Sequence, residues 1–140
     1  MTFALPQPGR VLALDFGSKR TGVAVSDPSR TIVRPLEPIS KANSSDGLAS
    51  IAALVDMHGV VRVIVGLPVG PSGTDTVQTA RSRSFAARLQ HELGIEVELH
   101  DERFTSKLAD RTRRETVSDA SRDSLAACHI LESWMENQPA

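Results

Sequence analysis

Three acidic positions carry the chemistry this chain can offer. Asp15 ends an apolar run that starts at Arg10, Asp101 and Glu102 follow the run 95–99, and Asp123 shares a helical stripe with Ala127, Ile130 and Trp134. A carboxylate on an apolar stripe is costly unless it is paired or metal-bound. Several carboxylates crowded together repel and raise one another's pKa. A hard divalent cation relieves that repulsion, and Mg²⁺ and Mn²⁺ prefer oxygen ligands completed by water and phosphate. Two such ions, roughly 3.5–4 Å apart, can activate a water and stabilise the leaving oxygen of a phosphodiester. On a strand, neighbouring side chains point to opposite faces. One of Asp101 and Glu102 is therefore expected to ligate a shared metal, while the other supports it or pairs with Arg103.

Each acid taken singly has a plainer reading. Asp15 could be a turn former, Asp101-Glu102-Arg103 a surface ion pair, and Asp123 a first-turn residue favoured by the helix dipole. Their order around one β/α pattern is what points to a shared site. Other chemistries find little support. The sequence has no Ser-His-Asp arrangement in view and no GxxxxGK[ST] loop, and its histidines at 58, 91, 100 and 129 lack ligand spacing. His100 alone lies near the acids, where it could relay a proton. A single cysteine, Cys128, excludes an internal disulfide or a Cys-rich zinc site and is expected in the core.

The elements that must hold these acids can be read from periodicity. Residues 10–16 and 21–25 read as a β-hairpin around Gly17 and Ser18, with Lys19 and Arg20 in its turn. Residues 31–39 alternate but contain two prolines, which marks an edge strand. The period then changes. Ser45 or Asp46 can cap a helix over 47–57, and residues 60–65 form a β-branched strand. A Gly- and Pro-rich loop spans 66–74. Asp75 and Gln78 resemble a capping box for a helix to Leu93, with Gly94 as its C-cap. A strand over 95–99, a helix from Thr105 to about Arg114 and a last helix from Ser118 or Asp119 to Glu136 complete the order β-β-β-α-β-α-β-α-α. Antiparallel strands come first and β-α units, which imply parallel strands, follow. Ligand sites in open α/β sheets form outside the carboxyl ends of strands, where Asp15 and the pair at 101–102 fall.

Composition limits the classes. With 140 residues, 16 basic and 17 acidic side chains and a net charge of −1, the chain reads as one ordinary globular domain, with 1–9 and 137–140 as loose ends. No apolar run approaches the ~18 residues of a bilayer span, and the start lacks a secretory pattern. A cytoplasmic protein without a membrane partner is expected. Near-neutral charge argues against a generic basic nucleic-acid coat, so a nucleic-acid partner would need a local patch or a bound metal. Arg outnumbers Lys 13 to 3, and the Arg fork suits bidentate phosphate contacts. Candidate contacts are Lys19, Arg20, Gly73, Thr74, Arg81 and Arg103. Glycines let a backbone approach closely, and a helix N-terminus favours phosphate. Arg81 and Arg88 are seven apart and share a helix face; Arg111, Arg113 and Arg114 end the next helix. A solvated turn, a plain connector and a solvated helix face are the competing readings. Thr105 and Ser106 are expected to cap a helix rather than act as nucleophiles, and Trp134 to pack in the core or at a dimer contact.

The segment Leu14 to Asp27 (LDFGSKRTGVAVSD) resembles the opening motif of the YqgF/RuvX family. Val65-Gly66-Leu67-Pro68 with Gly73-Thr74, Asp101 to Ser106 (DERFTS), and Asp123 to Ala127 (DSLAA) followed by Ile130 to Ser133 are similar to later motifs of that family. Together they cover residues 10–136 in the family's order. Ser18 stands where Thr is more usual, and Cys128-His129 where a small or apolar pair is. The resemblance implies an α/β, ribonuclease-H-like fold with a mixed five-stranded sheet flanked by helices. It places the acidic site on Asp15, Glu102 and Asp123, and the preference for Glu102 over Asp101 comes from it alone. It implies a Mg²⁺- or Mn²⁺-dependent endonuclease with two ions per site. The expected substrate is structured nucleic acid: the 5′ end of precursor 16S ribosomal RNA first, with ribosomal precursor particles as partners, and a four-way DNA junction second. A junction's two-fold symmetry would ask for a homodimer, for which the sequence carries no signature. Two other classes stay open. Asp15 to Ser18 between two strands also resembles the phosphate hairpin of the actin and Hsp70 fold, which needs two such domains. A non-catalytic RNA-binding assembly factor would bind without metal and tolerate Asp15→Asn.

Overall fold

A computed structural model describes residues 7–70, 72–104 and 119–138, the side chains of 104 and 119–123 excepted. Its five strands are β1 (Arg10–Asp15), β2 (Arg20–Ser26), β3 (Val33–Ser40), β4 (Val60–Leu67) and β5 (Glu96–Asp101). They form one sheet in the order β3-β2-β1-β4-β5. The pairs β1–β2 and β2–β3 are antiparallel, while β1–β4 and β4–β5 are parallel. This is the mixed sheet expected from the sequence, with the Pro-bearing β3 on an edge. Among the described residues the helices are α1 (Ser45–His58), α2 (Val77–Leu93) and α3 (Asp119–Glu136), and a 3₁₀ turn spans Glu102–Phe104. The expected helix over 105–114, with Thr105, Ser106, Arg111, Arg113 and Arg114, lies outside the described residues.

Strand alternation divides the core between two faces. Leu12, Leu14, Val23, Val25, Val63 and Val65 pack with Ile51 of α1 and Phe85 and Leu89 of α2. Val11, Ala13, Ala24 and Ile64 pack on the other face with Ala127, Ile130, Leu131 and Trp134 of α3. Cys128 is buried there too, as a core residue.

Several boundaries differ from the sequence expectation for identifiable reasons. β3 begins at Val33 rather than Thr31 because the Asp27 carboxylate accepts the N–H groups of Thr31 (2.7 Å) and Ile32 (2.8 Å), which closes a turn there. β5 runs beyond Leu99, as His100 and Asp101 pair with Gly66 and Leu67. The cap of α1 is Ser44, whose Oγ accepts from the Gly47 N–H at 3.0 Å, and not Ser45 or Asp46. The capping box of α2 joins Thr76 and Thr79, one residue later than Asp75 and Gln78. Asp75 pairs instead with Arg83 (3.2 Å), and the Gln78 side chain donates to the Phe16 carbonyl (3.0 Å). Gly94, at φ +67, is the C-cap expected.

Candidate active site

The site begins at the end of β1. Asp15 faces Gly22 across the β1–β2 ladder. Its neighbours Leu14 and Phe16 pack toward α1 and α2, so alternation turns Asp15 to the α3 side. Phe16 is fixed by stacking on Phe85, with centroids 4.2 Å apart and planes 14° apart. The Gln78 amide holds its carbonyl. In the turn that follows, a Cβ on Gly17 would collide with the Arg20 carbonyl, so only glycine fits. The Lys19 carbonyl accepts the Lys41 N–H at 3.0 Å, which pins the same turn to the end of β3. Lys19 and Arg20, in and just after this turn, are exposed.

Glu102 enters two strands away, just beyond the end of β5. It lies over Gly66 of β4: a Cβ built on Gly66 would stand 3.3 Å from both Cγ and Cδ of Glu102 and would strike Cδ1 of Ile130. Gly66 therefore leaves room for the carboxylate and for α3 together. Burial, the Asp15 charge and then the Asp101 charge push the Glu102 carboxyl up from 4.5 to about 7. The Asp15 charge is therefore felt at Glu102.

Asp101 is engaged differently. Arg103 donates Nε to Oδ1 (3.1 Å) and Oδ2 (3.0 Å), Nη2 to Oδ2 (2.7 Å), and its backbone N–H to Oδ1 (2.9 Å). These bonds hold the Asp101 carboxyl below its ordinary range. Asp101 is thus held by Arg103, while Glu102 lies over Gly66 and is raised in part by the Asp15 charge.

The third acid sits on α3. Its backbone is four residues before Ala127 on the stripe that packs against the sheet, while the Asp123 side chain lies outside the described residues. The next residue fixes this end of the helix. Ser124 Oγ accepts the Val23 N–H (3.0 Å) and donates to the Leu36 carbonyl (2.6 Å), bridging β2 and β3 next to their register shift. Among the described residues no three His, Cys, Asp or Glu side chains form a metal-binding group; the described acids supply two positions, Asp15 and Glu102. Both present hard oxygen donors, and their mutual repulsion is what a divalent cation would relieve. These two carboxylates are oxygen donors of the kind a hard divalent cation takes.

The remaining expected contacts divide. Gly73 (φ +80) lies in the β4–α2 loop, where a Cβ would come within 3.3 Å of Arg103 Nη1, and the Thr74 carbonyl accepts the Gly70 N–H. The loop is thereby in contact with the Asp101–Arg103 pair. Arg81 is exposed on α2, whereas Arg88, on the same face, donates to the side chain and backbone carbonyl of Asn43. His100 is buried with Nε2 2.9 Å from Ser133 Oγ, and desolvation lowers its pKa below the ordinary imidazole value. Trp134 is core, donating Nε1–H to Glu98 at 2.8 Å. The sequence reading placed Gly66 in a Gly- and Pro-rich loop, Gln78 in a capping box and Ser124 in a family motif; the roles seen here, Gly66 under Glu102, Gln78 on the Phe16 carbonyl and Ser124 between β2 and β3, depend on contacts across the fold.

The strand order and pairing define a class: a mixed-sheet fold of the ribonuclease-H-like type, with acids at the ends of β1 and β5. The fold is that of T. thermophilus RuvC in complex with a Holliday junction substrate (TM-score 0.55, 14% identity, 91% of this chain and 94% of that one). It is also that of the fowlpox virus resolvase with junction DNA (TM-score 0.55, 14% identity, 91% and 97%). The chain belongs to the RuvX family, described as "Holliday junction resolvase", which matches residues 9–137. It is 41% identical over 140 residues to a protein of Nitrosospira multiformis (96% of this chain, 93% of that protein), and 37% identical over 135 residues to one of Koribacter versatilis (93% and 88%). Both relatives are named "Putative pre-16S rRNA nuclease". No helix among the described residues is long and apolar enough to cross a membrane.

Proposed function

We propose that this chain is a divalent-metal-dependent endonuclease that hydrolyses phosphodiester bonds in structured nucleic acid, with the 5′ end of precursor 16S ribosomal RNA as its substrate. The observation that carries this reading is the half-buried Glu102 carboxyl lying over Gly66 of β4, the strand between β1 and β5, where burial and the Asp15 charge push it up to about 7. Such a pair is unfavourable in the isolated protein and is relieved by a cation. Its relatives' names supply the RNA. Asp15, Glu102 and Asp123 would hold Mg²⁺ or Mn²⁺. Bound there, the metal supplies Lewis acidity that lowers the pKa of water and neutralises charge on the leaving oxygen. The protein's own part is to fix the carboxylates: the Phe16–Phe85 stack sets Asp15, Gly66 seats Glu102 and Ser124 anchors the start of α3. Lys19 and Arg20 flank Asp15 and meet the nucleic-acid backbone.

A second reading, resolution of four-way DNA junctions, is favoured by the family description and by the junction-bound structures with this fold. It calls for a dimer with two active sites. The test is cleavage of a labelled precursor 16S 5′-leader RNA and of a four-way DNA junction, each with Mn²⁺, Mg²⁺ or EDTA. Metal-dependent cutting of the RNA in preference to the junction is expected, and the reverse preference selects the second reading. Binding without cutting under every condition leaves a non-catalytic assembly factor.

A further inference from the structure

We propose that Asp101 is a positioning residue rather than a metal ligand. It holds Arg103 as a fork that takes a backbone phosphate of the nucleic-acid strand lying in the site, with the β4–α2 loop as the other wall. This rests on the nuclease reading and assigns it a substrate contact.

Three observations carry it. First, both oxygens of Asp101 are occupied by Arg103, through two guanidinium nitrogens and the backbone N–H. A carboxylate used in this way is committed to orienting a guanidinium. Second, the guanidinium is fixed without being buried: the Arg103 side chain is 44% exposed and that of Asp101 19%. An exposed ion pair alone contributes little to stability, so four bonds on one exposed Arg are better explained by what its outer edge meets. Third, Nη1 faces Gly73, whose left-handed backbone and missing Cβ let the loop come close. Nη1 makes none of the bonds to Asp101. Arg103 directly follows Glu102, so a phosphate on this fork is held one residue from the proposed reacting centre. Planar Arg, unlike Lys, can bind Asp101 and a phosphate oxygen at the same time.

The experiment compares wild type with Asp101→Asn, Arg103→Lys, Arg103→Ala and the Asp101→Asn/Arg103→Ala double variant. Binding of the labelled leader RNA and junction is measured in Ca²⁺ over a salt series, Mn²⁺ binding by calorimetry, cleavage as separate KM and kcat, and folding by circular dichroism. Arg103→Ala should weaken nucleic-acid binding about tenfold and make the salt dependence shallower by about one phosphate contact. Arg103→Lys should recover only part of the loss. Asp101→Asn should act mainly on KM and leave Mn²⁺ binding at the wild-type level. The double variant should be no weaker than Arg103→Ala alone. Loss of Mn²⁺ binding in Asp101→Asn, additive losses in the double variant, or full recovery by Lys would overturn the proposal. If wild type cuts and the Arg103 variants bind and cut equally well, the fork is wrong and the nuclease reading stands. If wild type binds but never cuts while the variants bind less, the fork stands and the nuclease reading falls.

Discussion

Replacing Glu102 by Gln should make the metal-free protein more stable at alkaline pH while it destroys the site. The Glu102 carboxyl is raised from 4.5 to about 7 on folding. A carboxylate whose folded pKa is raised imposes no penalty at low pH, where both states are protonated. The penalty grows as pH rises from 4.5 to 7 and is complete above. At 1.36 kcal/mol per pKa unit the full shift would cost about 3.4 kcal/mol. Glu102 is only half-buried, and screening by solvent reduces this to roughly 1.5 kcal/mol. Glu102→Gln keeps the shape and removes the charge. Urea unfolding in EDTA should therefore show the variant equal to wild type at pH 4.5 and about 1.5 kcal/mol more stable at pH 8. Mg²⁺ should stabilise wild type at pH 8 more than the variant. Equal stability at pH 8, or a difference that does not grow between pH 4.5 and 8, would refute the claim that Glu102 is held against its own charge.

Other positions give separate tests. Gly66→Ala would drive a methyl into Ile130 and against Glu102; overpacking of this kind costs about 1–3 kcal/mol, visible in urea unfolding, with cleavage reduced more than RNA binding. Ser124→Ala would strip the Val23 N–H and Leu36 carbonyl of their shared partner, and about 1–3 kcal/mol should be lost, with amide exchange at Val23 accelerated. Gln78→Ala frees the Phe16 carbonyl and should lower kcat several-fold with melting temperature little changed, because it loosens the turn beside Asp15 and leaves the core intact.

The strands were legible because their signals are local and strong. β-branched runs, two prolines and the change of period each act over a few residues, and strand ends put Asp15 and Asp101–Glu102 near one another. Helix starts were less legible. Ser44, Ser45, Thr76 and Asp75 are all competent caps, and the choice was made by tertiary partners: Arg83 engages Asp75 and the Phe16 carbonyl takes Gln78. The division of labour between Asp101 and Glu102 was open in the sequence, since alternation says only that they differ. Arg103 settles which acid it holds, and Gly66 settles where the other can lie. Both are contacts across the fold, invisible to periodicity.

The central claim is that Asp15 and Glu102 belong to one metal-dependent hydrolytic centre. Its most direct test is the rate at which wild type and Asp15→Asn cut the leader RNA in Mn²⁺, with binding measured in parallel. Metal-dependent cutting by wild type that falls at least a hundredfold in the variant, with RNA binding retained, is the predicted result. Cutting that survives Asp15→Asn, or that persists in EDTA, would contradict it.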